Sequence, residues 1–131
     1  MKEHGVYTIE THGRVLFIDA EGPWNTESVM SYKRDMHEAT LAMGSDPWAV
    51  IAVLHGECLF TPEAESEMVA MAEHRIQYGM KCVALVSSDV IGRSMVERQF
   101  GRIYRTAGVE CQLFHDNDSA FRWLRSKGYH A

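Results

Sequence analysis

Apolar positions along this chain repeat at two different periods, and the switches between them mark the elements. Tyr7–Thr11 and Arg14–Ala20 are β-rich runs separated only by His12 and Gly13, a spacing that predicts a hairpin. Gly22-Pro23 breaks the second run. Asn25 or Thr26 then offers an N-cap, with Glu27 in the first turn. Val29, Tyr32, Met36, Ala39 and Met43 recur at helical spacing, predicting a first helix that ends near Met43 before Gly44. Trp48–Leu54 is almost continuously apolar, as a strand covered on both faces would be. Thr61 and Pro62 open a second helix, with Glu63 and Glu65 at its positive end, and it runs to about Tyr78 before Gly79. Lys81–Val86 is a further buried strand, followed by Ser87, Ser88 and Asp89 as loop and helix cap. A third helix is expected from about Ile91 to Thr106, ended by Gly108. Glu110–Phe114 is a short strand, and Asp116 or Asn117 caps a last helix to about Ser126.

The order β-β-α-β-α-β-α-β-α predicts an α/β fold in a single domain. Its central sheet is expected to be mixed and mostly parallel, with an N-terminal hairpin, right-handed crossovers and four helices. The 131 residues fit one domain, and 46% apolar composition supplies an ordinary core. A net charge of −5 disfavours nucleic acid and anionic membrane as partners. No apolar run reaches the ~18 residues of a membrane span, and MKEHGVYTIE lacks the apolar core of a signal peptide. Cys58, Cys82 and Cys111 lie far apart without a CxxC pair, so a reduced, cytoplasmic protein is expected, with no disulfide framework or zinc site. The seven histidines form no HxH, HxxxH or HExxH spacing, and neither a metal nor a cofactor is expected.

Four segments carry a family resemblance: the hairpin GVYTIETHGRVLFIDAEG, the strands WAVIAVL and KCVALVSS, and the ending FHDNDSAFRWL. In their order and spacing they resemble the SpoIIAA-like branch of the STAS superfamily, from Gly5 to Lys127. The resemblance implies a small cytoplasmic α/β regulatory domain. In the anti-sigma factor antagonists of that superfamily, the helix after the third strand opens with an Asp-Ser-Ser-Gly-type motif whose serine is phosphorylated. Laid over this chain, that motif falls at Thr61-Pro62-Glu63-Ala64, with Glu63 near the serine position and Thr61 the nearby hydroxyl. The resemblance therefore implies a regulatory domain without an evident phosphoserine switch.

In open α/β sheets, ligands sit beyond the carboxyl ends of the parallel strands. Here those ends carry His55, Gly56, Glu57 and Cys58, then Ser87, Ser88 and Asp89, then His115 and Asp116. Beside helix N-termini these groups would make a small anion site, or the polar residues simply cap their own helices. His55, Glu57 and Cys58 are also candidates for an acid–base pair beside a thiol nucleophile, although the acidic surroundings oppose a thiolate. On the second helix, Ala64, Met68 and Met71 form one stripe and Val69, Ala72 and Ile76 another. The band suits a helix buried broadly in the core, or one with a partner, a second subunit or an apolar ligand on its outer side. Arg98, Arg102 and Arg105 share one face of the third helix. Trp24 leaves the second strand, either as an exposed contact or as a lid on the sheet end.

These readings define three functions. The first is a non-enzymatic regulatory domain acting on a protein partner, or on itself as a homo-oligomer, through the second helix and its entry loop. The second is a binder of a small anion, nucleotide or lipid-like carboxylate at the strand ends. The third is a thiol or hydrolytic enzyme using His55 and Cys58.

Overall fold

The computed structural model describes residues 6–131. The first half of the N-terminal segment MKEHGVYTIE, with Gly5 at the head of the hairpin, lies outside the described residues. Strands β1 (Val6–His12) and β2 (Val15–Glu21) pair antiparallel, with His12 opposite Val15 across a tight turn. Gly13 enters that turn at φ +60°, a left-handed conformation that glycine adopts without cost. Strands β3 (Trp48–Gly56), β4 (Met80–Val90) and β5 (Glu110–Phe114) then add in sequence order, each parallel to the one before. The five-stranded sheet is therefore mixed, with one antiparallel pairing at the hairpin edge.

Four helices cover the sheet unequally: α1 (Thr26–Ala42), α2 (Pro62–Gln77), α3 (Arg93–Ala107) and α4 (Asn117–Ser126). Strand residues of one parity, among them Leu16, Ile18, Val50, Leu54 and Leu85, pack with Met36, Met71 and Phe100 of α1, α2 and α3. Residues of the other parity, among them Val15, Ile51, Val53 and Ala84, pack with Ala120 and Leu124 of α4. Coverage on both sides explains the unbroken apolar run of β3, whose residues from Trp48 to Leu54 are all buried.

Two expectations are overturned. Ser87, Ser88 and Asp89 are neither loop nor cap, because β4 continues through them to Val90. A register shift between Val53 and His55 lets His55 pair with Asp89 and Gly56 with Val90, which extends the ladder. The third helix consequently starts at Arg93 behind Gly92, which makes no side-chain cap. The second correction concerns Met68 and Met71 as an outward partner surface. They are only 4% and 6% exposed. Helix α2 packs against both α1 and α3, so its wide apolar band fills against neighbours on each flank. Val69 and Ile76 are half-buried against the same core.

The remaining helix starts follow capping chemistry. Asn25 forms a reciprocal capping box with Ser28, Thr61 Oγ1 accepts from the Ala64 amide at 3.2 Å, and Asp116 Oδ1 accepts from Ser119 at 2.7 Å. Among the described residues, no helix is long and apolar enough to cross a membrane.

Candidate functional site

The carboxyl ends of β2, β3 and β4 form a rim with different chemistry on its two faces. On the α4 side, His55 stands between carboxylates supplied by the neighbouring strands. Its Nδ1 lies 2.7 Å from Asp89 Oδ2 of β4, and its Nε2 lies 3.2 Å from Asp19 Oδ1 of β2. The hydrogen bond to Asp89 is the main reason His55 titrates above an ordinary histidine, and the bond and charge of Asp19 add to it against partial burial. Both ring nitrogens face a carboxylate, so the imidazole ties three strands together and its protonated form is the one the two carboxylates favour.

Cys58 does not complete a nucleophile–base pair with that ring, so the candidate thiol constellation of His55 and Cys58 is not assembled. The side chain is fully buried, and its thiol donates to the main-chain oxygen of His55 at 3.0 Å. Burial pushes the Cys58 thiol up, away from the thiolate that nucleophilic chemistry needs. Glu57 is exposed, and its carbonyl abuts Gly22, where any Cβ would overlap main chain. The Gly22 amide donates to His55 O at 3.1 Å. The exits of β2 and β3 are thus locked main chain to main chain, which requires glycine at position 22.

The helix side of the rim is apolar. Trp24 stacks on Phe60 with ring centroids 6.0 Å apart and planes 15° apart, and Phe60 in turn meets Phe100 at 5.4 Å. Buried Gln99 of α3 fixes Phe60 by its main chain: its Oε1 accepts from the Phe60 amide at 2.8 Å, and its Nε2 donates to the Phe60 carbonyl at 2.9 Å. The same Nε2 reaches Glu65 Oε1 at 3.1 Å. Arg102 of the arginine stripe donates to both oxygens of Glu65 at 2.7 Å, and these bonds, Arg102 first, bring the carboxyl down to about 2.

Beneath this lid lies a cavity of about 30 Å³, walled by Ile18, Ala20, Tyr32, Leu54, Met68 and Tyr104. Outside it, an open groove of about 610 Å³ runs between the first turns of α1 and α2. Trp24, Val29 and Phe60 line both spaces, so the lid separates slot from groove. Trp24 Nε1 is buried there without a hydrogen-bond partner, an uncommon condition for an indole.

Of the residues picked from sequence, Trp24, Thr61 and Glu63 come together in the groove, and Met68 walls the slot behind it. His55 stands on the opposite face of the sheet, Glu57 is exposed between, and Met71 lines a different pocket. Asp19, Phe60 and Gln99 were missed. Asp19 carried a signal, as a carboxylate interrupting the apolar run Val15–Ala20; the Gln99 clamp is a contact distant in sequence and carried none. Among the described residues, no three His, Cys, Asp or Glu side chains are grouped to hold a metal ion. The chain matches no protein-family model, and no curated protein matches it.

Proposed function

We propose that this protein is a non-enzymatic, SpoIIAA-like binding domain. Its ligand is a small apolar molecule bearing a hydrogen-bond acceptor, taken at the lid between α1 and α2. One observation carries the reading: the unpaired indole Nε1 of Trp24 is buried where an apolar slot of about 30 Å³ meets an open groove of about 610 Å³. A carbonyl or ester oxygen there would satisfy the orphan donor while the apolar part parts the Trp24–Phe60 stack. Carboxylates are the poorer class, because Glu63 and Glu67 line the groove and the side chains of Asn25 and Thr61 already cap the helix N-termini.

The test is thermal unfolding against medium-chain methyl esters, the matching fatty acids and aromatic ketones. Mass action raises stability by about 2.7 kcal/mol at a hundredfold excess over Kd, several degrees for a domain of this size. Trp24→Phe keeps the stack and removes the donor, so it should weaken ester binding by about three- to tenfold. No shift with any of these compounds would end the reading.

A second reading, a protein partner at the same rim, is favoured by exposed apolar side chains on the segments that leave β3 and β4. Leu59, Ile91 and Met95 are 44%, 65% and 55% exposed. Changing them to serine would abolish partner capture and leave ester binding intact.

A further inference from the structure

A second pocket lies between α1 and α2, with Met71 in its wall where Met68 walls the slot under the lid. Its volume is about 280 Å³, and Lys33, His37, Thr40, Met71, His74 and Arg75 line it. Its chemistry is the reverse of the groove's. Arg75 is 2% exposed, yet its Nε and Nη1 have no hydrogen-bond partner. Thr40, 1% exposed, also leaves Oγ1 unpartnered. A guanidinium stays charged at any pH a protein meets, so the cation is buried with its donors open. Such a group is strongly unfavourable unless an anion answers it.

Among the described residues, no carboxylate does so. Glu67 is drawn to Lys33 at the pocket mouth, 3.1 Å away. Asp35 of α1 accepts from Tyr7 at 2.6 Å and faces Arg34 at 3.5 Å. Neither Glu38 nor Glu73 lines the space. The other close groups are the phenols of Tyr32, half-buried, and Tyr104, buried; burial raises both above their usual range, with the Arg75 charge opposing it. They are neutral and offer no countercharge. The His37 and His74 rings share a hydrogen bond, Nδ1 to Nε2, at 3.1 Å, which fixes both imidazoles at the pocket wall. Four nitrogen-bearing side chains and one hydroxyl therefore converge on a space larger than a water and lacking any carboxylate in its wall.

We propose that this pocket binds a small phosphate-type oxyanion, either inorganic phosphate or a phosphomonoester, with Arg75 and Thr40 donating to its oxygens and Lys33 at the entrance. Charge and donor geometry of this kind favour a dianion over a simple carboxylate. The site is separate from the lid and stands whether or not an apolar ligand binds there.

The experiment uses the whole ¹⁵N-labelled protein in chloride buffer at constant ionic strength, titrated with inorganic phosphate and, separately, with sodium acetate and with phenyl phosphate. Saturable shifts of the Thr40 amide and the Arg75 Nε–H are expected with both phosphates, and acetate should be weaker by about tenfold or more. Arg75→Gln should cost phosphate affinity about tenfold or more, and Thr40→Val about threefold, with Thr40→Ser restoring it. Arg75→Met supplies a test that does not depend on the ligand signal. It removes an unanswered buried charge, so its melting temperature in phosphate-free buffer should equal or exceed that of the native protein, and phosphate should raise only the native value. Unsaturable shifts, equal shifts with acetate, or phosphate binding unchanged in both Arg75→Gln and Thr40→Val would overturn the proposal.

Discussion

His55 illustrates how one residue's role depends on partners that lie far away in sequence. Asp19 and Asp89 hold its cationic form, so its titration in the folded protein is raised. A raised histidine contributes stability that is fully present below its unfolded value of about 6.5 and is lost as pH rises through the folded value. His55→Gln should therefore melt below the native protein at acid pH, and the two melting curves should converge through neutral and alkaline pH. A deficit that stayed constant or widened with pH would contradict the role assigned to the ring. Arg75 was more legible than its absence from the sequence reading implies. Met68, Met71, Ala72 and Arg75 share one helical face, so the stripe that predicts burial also predicts a buried guanidinium. Asp19 was not legible as a His55 partner, because that contact depends on strand register.

At the scale of elements, the punctuation of the chain was clear where capping residues act locally and obscure where a neighbour decides. Thr61 caps the helix it was expected to cap, and Asn25 and Asp116, each one of two candidates, cap theirs. The end of β4 was misread because Ser87–Asp89 are polar, while their main chain is claimed by β3. The loop before α2 is likewise fixed from a distance by Gln99. Gln99→Ala strips the part-buried main-chain amide and carbonyl of Phe60 of their partners and should cost about 1–3 kcal/mol in urea unfolding. Glu65 braces the same clamp. With its carboxyl lowered to about 2, its contribution is present above the ordinary glutamate value near 4.3 and is lost as pH falls toward 2. Glu65→Gln should consequently flatten the acid limb of the stability curve; an unchanged limb would mean that the Arg102 bridge adds nothing.

For the whole molecule, an uneven division of helices determines where function can sit. Three helices on one face build a thick layer with two spaces, the slot under the lid and the open cationic pocket between α1 and α2. A single helix on the other face leaves the Asp19–His55–Asp89 tie at an open rim. The alternation of elements made this α/β layering legible in sequence. It did not reveal that α2 is the middle helix of its layer, and that position decides between the two readings of its methionines by burying them. Met71→Lys should accordingly act on stability rather than on assembly. It places a charge in the packed layer and should cost about 3 kcal/mol or more, with the native oligomeric state in light scattering unaltered by milder surface changes on α2. A soluble, well-folded Met71→Lys variant with altered oligomeric state would restore the outward-facing reading.

The central claim is that the Trp24 lid admits an apolar ligand and donates to it. The indole N–H resonance of Trp24 reports this directly, and Trp48 serves as the internal control because its Nε1 already donates to Tyr78 O at 2.8 Å. Titration of ¹⁵N-labelled protein with methyl decanoate should move the Trp24 indole signal saturably and downfield, in the direction of a newly formed hydrogen bond, while that of Trp48 stays fixed. A Trp24 signal that does not move, or that moves only together with Trp48, would contradict the account.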